Sequence, residues 1–227
     1  MNRLFRRNDT PSAILLNMLL VAFSLFLNGF GVYLTIHADI GAGPWDVFNL
    51  GLSNTFSILY GTASIGVSVG VLVIDILLKE PIGVAMIIDA FVVGKTVDLF
   101  QWLNWVPTPS TFIGSVVMIL FGLTVMGFTQ VLYMGAALGC GPRDTLLVGL
   151  KRRSRRIPIG VISILLLSGV TLIGYLLGGK VGPGTLLCAF LCGPIMQLAL
   201  AVLRFDATAV VHQHIPGTLK VFFAKRR

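Results

Sequence analysis

The chain has 227 residues, of which 56% are hydrophobic and only 11% charged, and it carries a net charge of +8. That little charge could not cover the apolar surface of a soluble domain of this size, so an integral membrane protein is expected. The positive charge does not point to nucleic acid, because the basic residues sit beside the ends of apolar runs, where membrane topology explains them.

The first apolar run, Ser12 to Ile36, follows a basic Met1-to-Arg7 segment that looks like the start of a signal peptide. The run is too long for a signal core and no Ala-x-Ala site follows, so it reads as the first transmembrane helix. Next comes Gly41-Ala-Gly-Pro-Trp-Asp46, which opens a short segment, Pro44 to Phe56, that is too polar for a full span. Tyr60 to Leu78 and Ile82 to Trp102 are two further spans. The uncharged loop Asn104 to Ser110, flanked by Trp102 and Trp105, fits an outer aromatic belt. After the fourth span, Phe112 to Leu138, Gly139-Cys-Gly-Pro-Arg-Asp144 opens a second short segment, Pro142 to Leu150. The basic stretch Lys151 to Arg156 then leads into the last two spans, Ile157 to Leu177 and Gly184 to Leu203. Each of the six long runs suffices to cross a hydrocarbon core of ~30 Å.

The two glycine motifs belong to a duplication. At an offset of 98, Gly29, Phe30, Gly41, Gly43, Pro44, Asp46 and Gly51 recur as Gly127, Phe128, Gly139, Gly141, Pro142, Asp144 and Gly149. After one inserted residue, Gly61, Ser64, Gly70, Gly83, Phe91 and Gly94 recur at an offset of 99 as Gly160, Ser163, Gly169, Gly182, Phe190 and Gly193. Three spans per copy oblige the second copy to enter from the opposite side. The expected fold is therefore all-α: a polytopic bundle of six transmembrane helices plus two short half-helices, in two inverted-topology repeats. Residues 1–11 form a basic cytoplasmic N-terminus, 12–106 the first repeat, 107–205 the second and 206–227 a basic cytoplasmic tail. With the N-terminus inside, 15 of the 17 Lys and Arg fall inside, Lys180 outside and Lys95 within a span. If the short segments also crossed, eight spans and parallel repeats would result, and the charge tally alone does not exclude that.

Gly-x-Gly-Pro-x-Asp reads as a helix start: glycines for unusual backbone angles, proline at the first helical position, and an aspartate in the first turn where the dipole favours it. Either each motif opens a re-entrant half-helix that exposes Gly41, Gly43, Gly139 and Gly141 to a substrate, or it caps an interfacial helix. Asp46 and Asp144 already occupy the field that would otherwise attract an anion. Where the first copy has Trp45 the second has Arg143, which could stack on that ring or pair with an aspartate, or else belong to the basic surface beside it. The third span holds Asp89, Lys95 and Asp98, and ionisable groups at membrane depth are functional candidates. Lys95 and Asp98 have the spacing of a pair. Asp89 needs a partner from elsewhere, with Asp75 an option, and Asp98 and Gln197 are two-fold mates expected to face the interior. Glycine pairs at helical spacing, Gly66/Gly70 and Gly178/Gly182, suggest close helix packing. Cys188 and Cys192 share a helix face and read as packing residues. No cofactor or metal site is expected.

Gly41-Ala-Gly-Pro-Trp-Asp46 with Leu50-Gly-Leu52, Gly139-Cys-Gly-Pro-Arg-Asp144 and Gly184-Thr-Leu-Leu-Cys-Ala-Phe-Leu-Cys-Gly-Pro194 resemble the YczE/YitT group of bacterial integral membrane proteins, its YczE-like members most closely. The resemblance implies a multi-pass protein of the bacterial cytoplasmic membrane, and no substrate. The expected function is a secondary transporter or permease for a small polar solute or ion, with a carboxylate coupling to protons or a cation. The alternative is a non-transporting membrane component that assists a partner complex. No enzyme is expected. The partners expected are the lipid bilayer, with anionic lipids at the cytoplasmic face, and the solute; small residues on many faces allow a homodimer and a compact monomer equally.

Overall fold

The computed structural model describes residues 8–154, 156–206, 210 and 212–223. Arg3, Arg6, Arg7, Arg155, Lys225, Arg226 and Arg227, all counted as inside in the charge tally, lie outside the described residues. Among those residues the structure is all-helical: α1 (Pro11–His37), α2 (Pro44–Phe56), α3 (Tyr60–Leu77), α4 (Val84–Leu103), α5 (Phe112–Gly135), α6 (Pro142–Arg153), α7 (Ile159–Leu176), α8 (Pro183–Val202) and α9 (Ile215–Phe223). Helix starts follow local chemistry. Thr10 and Thr111 cap α1 and α5 by accepting from Ala13 N and Gly114 N, and Pro11, Pro44, Pro142 and Pro183 stand where no helical N–H is lost.

Helices α1, α3, α5, α7 and α8 are long and apolar enough to cross a membrane. Helix α4 matches them in length at 20 residues. Its three charges keep it out of that set, so composition supports five spans where six were expected.

The turns collect at two ends of the bundle. At one end His37 Nε2 bonds Val106 O at 2.8 Å, Lys180 pairs with Asp39, and Asn54 and Thr55 donate to the carbonyls of Gly178 and Leu177. At the other, Arg152 pairs with Glu80 at 3.1 Å, Asn8 donates to Ala136 O, and the tail is tied down by Gln213 N to Ala137 O and Ile215 N to Ile82 O. The tail helix α9, absent from the sequence reading, docks here, with Val221 against the core formed by Ile14, Val21, Leu25 and Tyr133.

The duplication extends to the backbone. Positive φ occurs at Gly41 and Gly139 (110° and 126°), at Asp39 and Ala137 (59° and 57°), and at Lys79 and its mate Gly178 (56° and 87°). Packing follows the same logic. Helix α1 lies on α4 and α5, α5 on α8, α2 on α7 and α6 on α3, so each short helix packs on the other repeat. One neighbour pair breaks the pattern: α3 packs along α4, whereas α7 and α8 are at most marginally in contact.

Glycine accounts for the α2–α7 crossing. A Cβ at Gly174 would lie 2.6 Å from Phe48 N and Cα, inside any allowed contact. The expectation for Gly66 and Gly70 fails, because nothing lies within 4 Å of a Cβ at either; their faces turn away from neighbouring helices. Gly174→Ala should therefore destabilise the protein by about 1–3 kcal/mol through overpacking, and Gly70→Ala should leave it unchanged or slightly more stable, as read by chemical denaturation in detergent.

The tail provides a pH-dependent contact. The His212 ring is held below its ordinary value by burial and then by His214. A depressed imidazole favours the docked tail in full above the unfolded value of about 6.5 and loses that contribution as pH falls towards the lower docked value. Exchange protection of the Gln213 and Ile215 amides, corrected for intrinsic rate, should drop across that window, and His212→Phe should abolish the dependence.

Candidate functional site

Each Gly-x-Gly-Pro-x-Asp motif makes the same turn. Gly41 and Gly139 take the left-handed angles that a side chain resists, and Gly43 and Gly141 are extended N-caps at φ −59°, ψ 156° and φ −63°, ψ 151°. Pro44 and Pro142 follow, and the aspartates fall at the third helical position, folded back over the cap. A Cβ at Gly43 would be 2.9 Å from Asp46 Oδ2, and one at Gly141 would be 3.3 Å from Asp144 Oδ2. Both carboxylates thereby face the unbonded N–H groups of their own helix.

The two helix starts meet. The Arg143 guanidinium lies over the Trp45 ring, 5.1 Å from its centroid. The substitution that distinguishes the two copies thus forms the contact between them. Asp46 is buried and accepts from Tyr60 Oη at 2.7 Å, and Asn49 Nδ2 donates to the same phenol at 3.2 Å. Asp144 accepts from Gln130 Nε2 at 3.2 Å. Asp89, from α4, closes the group on the other side: its Oδ2 and Tyr133 Oη each lie 3.7 Å from where a Gly141 Cβ would be. All three carboxylates are within electrostatic reach of Arg143. Asp144 is exposed, in contrast to the buried Asp46. Tyr133 Oη and Asn49 Oδ1 have no hydrogen-bond partner among the described residues.

The remaining sequence candidates go elsewhere. Lys95 is exposed on the outside of α4, where a long side chain can carry its amine towards an interface, and it forms no ion pair with Asp98 among the described residues. Asp98 instead accepts from Gly61 N at 2.6 Å, capping the start of α3. Gln197 is exposed, because α8 packs on α5 and leaves its other side open; it does not face the interior. Asp75 does not approach Asp89. It is fully buried near Glu80, and neither of its carboxylate oxygens has a partner among the described residues. Cys140, Cys188 and Cys192 are free thiols. Sequence reasoning missed Tyr60 and Tyr133, whose only signal was that a buried phenol seeks a polar partner.

The glycine motifs, their paired turns and the helices they open lie within residues 15–200, which match the family of unknown function DUF6198. The chain belongs to this family. It is similar to an uncharacterized protein of Haemophilus influenzae, with 29% identity over 184 residues, 81% of this chain and 83% of that one. The uncharacterized membrane protein YczE of Bacillus subtilis is 28% identical over 180 residues, 78% of this chain and 81% of its own length. The uncharacterized protein YyaS of the same bacterium is 26% identical over 179 residues, 77% and 87% of the two chains. No solved structure matches. The resemblance to YczE-like proteins is borne out, and the protein is a membrane protein with several apolar helices.

Tyr60→Phe removes the hydroxyl that bonds Asp46 and should cost about 1–3 kcal/mol, seen as a Tm lower by a few degrees. Tyr175→Phe, at an exposed phenol on α7, should leave Tm unchanged.

Proposed function

We propose that the protein is a secondary transporter of the bacterial cytoplasmic membrane, moving a small polar solute or ion past the meeting point of α2 and α6. In this reading α1, α3, α4, α5, α7 and α8 cross the bilayer, both termini are cytoplasmic, and the repeats are inverted about an axis in the membrane plane. Helices α2 and α6 are re-entrant half-helices that enter from opposite faces. The observation that carries the reading is the stacking of Arg143 on Trp45 between the two helix starts, with Asp46, Asp89 and Asp144 around it. A purely structural bundle has no use for three carboxylates against one guanidinium at this depth, where each ionisable group costs ~2.5 kcal/mol or more. Transporters place discontinuous helices at such a point so that helix ends and polar side chains can bind and release a solute. The collection of turns at two ends supports six crossings, and the reciprocal packing of α2 on α7 and of α6 on α3 supports two related halves. The carboxylates that Arg143 does not neutralise are the coupling groups, holding protons when the solute is absent. The basic end of α6 lies at the cytoplasmic face, where anionic lipids add ~1 kcal/mol per basic residue.

Proteoliposomes with an internal pH-sensitive dye should show proton movement when a gradient of the right solute is imposed, across a panel of amines, amino acids, organic acids and metal cations. Asp46→Asn and Asp144→Asn should each lower that flux at least tenfold. A flat response across the panel sinks the transport reading. Topology has a separate check: with the native cysteines replaced by alanine, Asn104→Cys and Ser154→Cys should label from opposite sides.

A further inference from the structure

Oxygens from three helices converge on one small hollow. Gly141, the cap of α6, has no side chain, and a Cβ there would lie 3.3 Å from Asp144 Oδ2 and 3.7 Å from both Asp89 Oδ2 and Tyr133 Oη. The hollow is the place of that missing methyl group, and α4, α5 and α6 each bring one oxygen to it. Asp144 is exposed, Asp89 half-buried and Tyr133 enclosed, so the oxygens run from an accessible side to a closed one.

The Tyr133 hydroxyl is what makes the cluster a site. Its oxygen is buried and has no hydrogen-bond partner among the described residues, although it shares the hollow with two carboxylates. Gln130 Nε2 donates to Asp144 Oδ2 at 3.2 Å and not to the phenol. Burying a hydroxyl without a partner is unfavourable, and such a group in a folded protein calls for an occupant.

Charge sets the valence of that occupant. Asp46, Asp89 and Asp144 stand against the Arg143 guanidinium and the N-termini of α2 and α6, each terminus carrying roughly half a positive charge. About one negative charge is left over, which a monovalent cation neutralises and a divalent one overshoots. Carboxylate and phenol oxygens suit a hard cation, and no group of three or more His, Cys, Asp and Glu that could hold a more demanding metal occurs among the described residues. A proton would balance the charge but give the phenol oxygen no role, whereas a metal cation takes its lone pair.

The first repeat has no such hollow. At Gly43 the corresponding space is taken by Asp46 itself, whose Oδ2 is 2.9 Å from where a Cβ would be, and Cys188 stands in the place of Asp89. The mate of Tyr133 is Thr35, whose hydroxyl already donates to Val32 O at 2.8 Å.

We propose that the hollow at Gly141 binds one monovalent alkali cation, sodium or potassium, held by Asp89, Asp144 and the Tyr133 hydroxyl. The proposal rests on the transport reading for its purpose, as the ion that couples to the solute, but not for its test. Protons on Asp89 or Asp144 compete with the cation.

The Trp45 ring lies against Arg143, so its fluorescence reports on the site once Trp102 and Trp105 are replaced by phenylalanine. Sodium chloride and potassium chloride are titrated separately into the purified full-length protein in detergent, at fixed pH, with choline chloride holding ionic strength constant. At least one of the two should give a saturable change in fluorescence and a matching rise in Tm, and the tighter binder identifies the ion. Gly141→Ala fills the hollow at a backbone angle that alanine accepts, φ −63°, and should weaken binding at least tenfold, as should Asp89→Asn. Tyr133→Phe should weaken it at least threefold while leaving the Tm in choline unchanged or higher, because its hydroxyl has no partner in the protein to lose. A merely structural role for that hydroxyl would do the reverse, lowering Tm and sparing affinity. Gly169→Ala, on α7 with nothing within 4 Å, should alter neither reading. Size-exclusion profiles reveal a misfolded variant, in which case the other two decide. No saturable change in fluorescence or Tm with either salt overturns the proposal. So does equal affinity in wild type, Gly141→Ala and Tyr133→Phe, or calcium binding more tightly than both alkali ions. Proton-coupled flux of a solute without alkali binding overturns the site and leaves transport standing, whereas alkali binding without flux of any solute sustains the site and removes the transport reading.

Discussion

Two hydrogen bonds hold the arrangement on which everything else depends, and each is the copy of the other. Gly184 N donates to Ile40 O at 2.8 Å, and Ala85 N donates to Leu138 O at 3.1 Å. Ile40 and Leu138 are mates at the offset of 98, and Ala85 and Gly184 are mates at 99. Each bond takes a carbonyl from the irregular stretch before a short helix and satisfies it with an N–H at the start of the last long helix of the other repeat. Irregular backbone is tolerated at membrane depth only when its polar groups find partners inside the protein or in a water-filled cavity. The irregular stretch before each short helix is thus completed by a donor from the other copy of the repeat.

From that exchange follows the proximity of the two helix starts, and from their proximity the chemical inequality of the site. A symmetric centre would have set tryptophan against tryptophan or arginine against arginine, the second an uncompensated pair of like charges. Trp45 and Arg143 replace both with a cation on a ring face. Asp89 deepens the inequality, because its mate is Cys188 and the second repeat has no carboxylate at that position. The two sides of the contact are thus chemically different, although the backbone at the two motifs is nearly the same.

Much of the scaffold is legible in the chain because the signals are local. Pro44 and Pro142 mark helix starts by chemistry that needs no tertiary context, and the glycine spacing exposes the duplication. The Arg143–Trp45 contact is one of the outcomes the sequence allows, because the two residues are mates within one motif. What fails depends on which way a helix faces. Lys95 and Asp98 have the spacing of a pair, yet Gly61 N outcompetes the lysine for Asp98, since a buried amide without a partner costs more than an exposed amine in water or at a headgroup. Gln197 is assigned to the interior by symmetry and lies outside because the symmetry of the packing stops at α7 and α8. Nothing in the composition of those helices, equally apolar all round, says which faces the protein would leave uncovered.

That uncovered pair has a mechanical consequence. Among its 18 residues α7 buries only Ile162 and Gly174, and α8 is interrupted by Pro194 beside Gly193, a combination that weakens a helix against bending. Elements with few buried side chains take their position from whatever presses on them. On the faces of α7 and α8 turned away from α2 and α5 that is lipid, so the separation of the two helices should follow the lateral pressure and thickness of the bilayer more closely than that of α3 and α4, which are joined at Gly61, Gly94 and Asp98. The α7–α8 pair is then the part of the molecule whose geometry the surrounding membrane sets most directly.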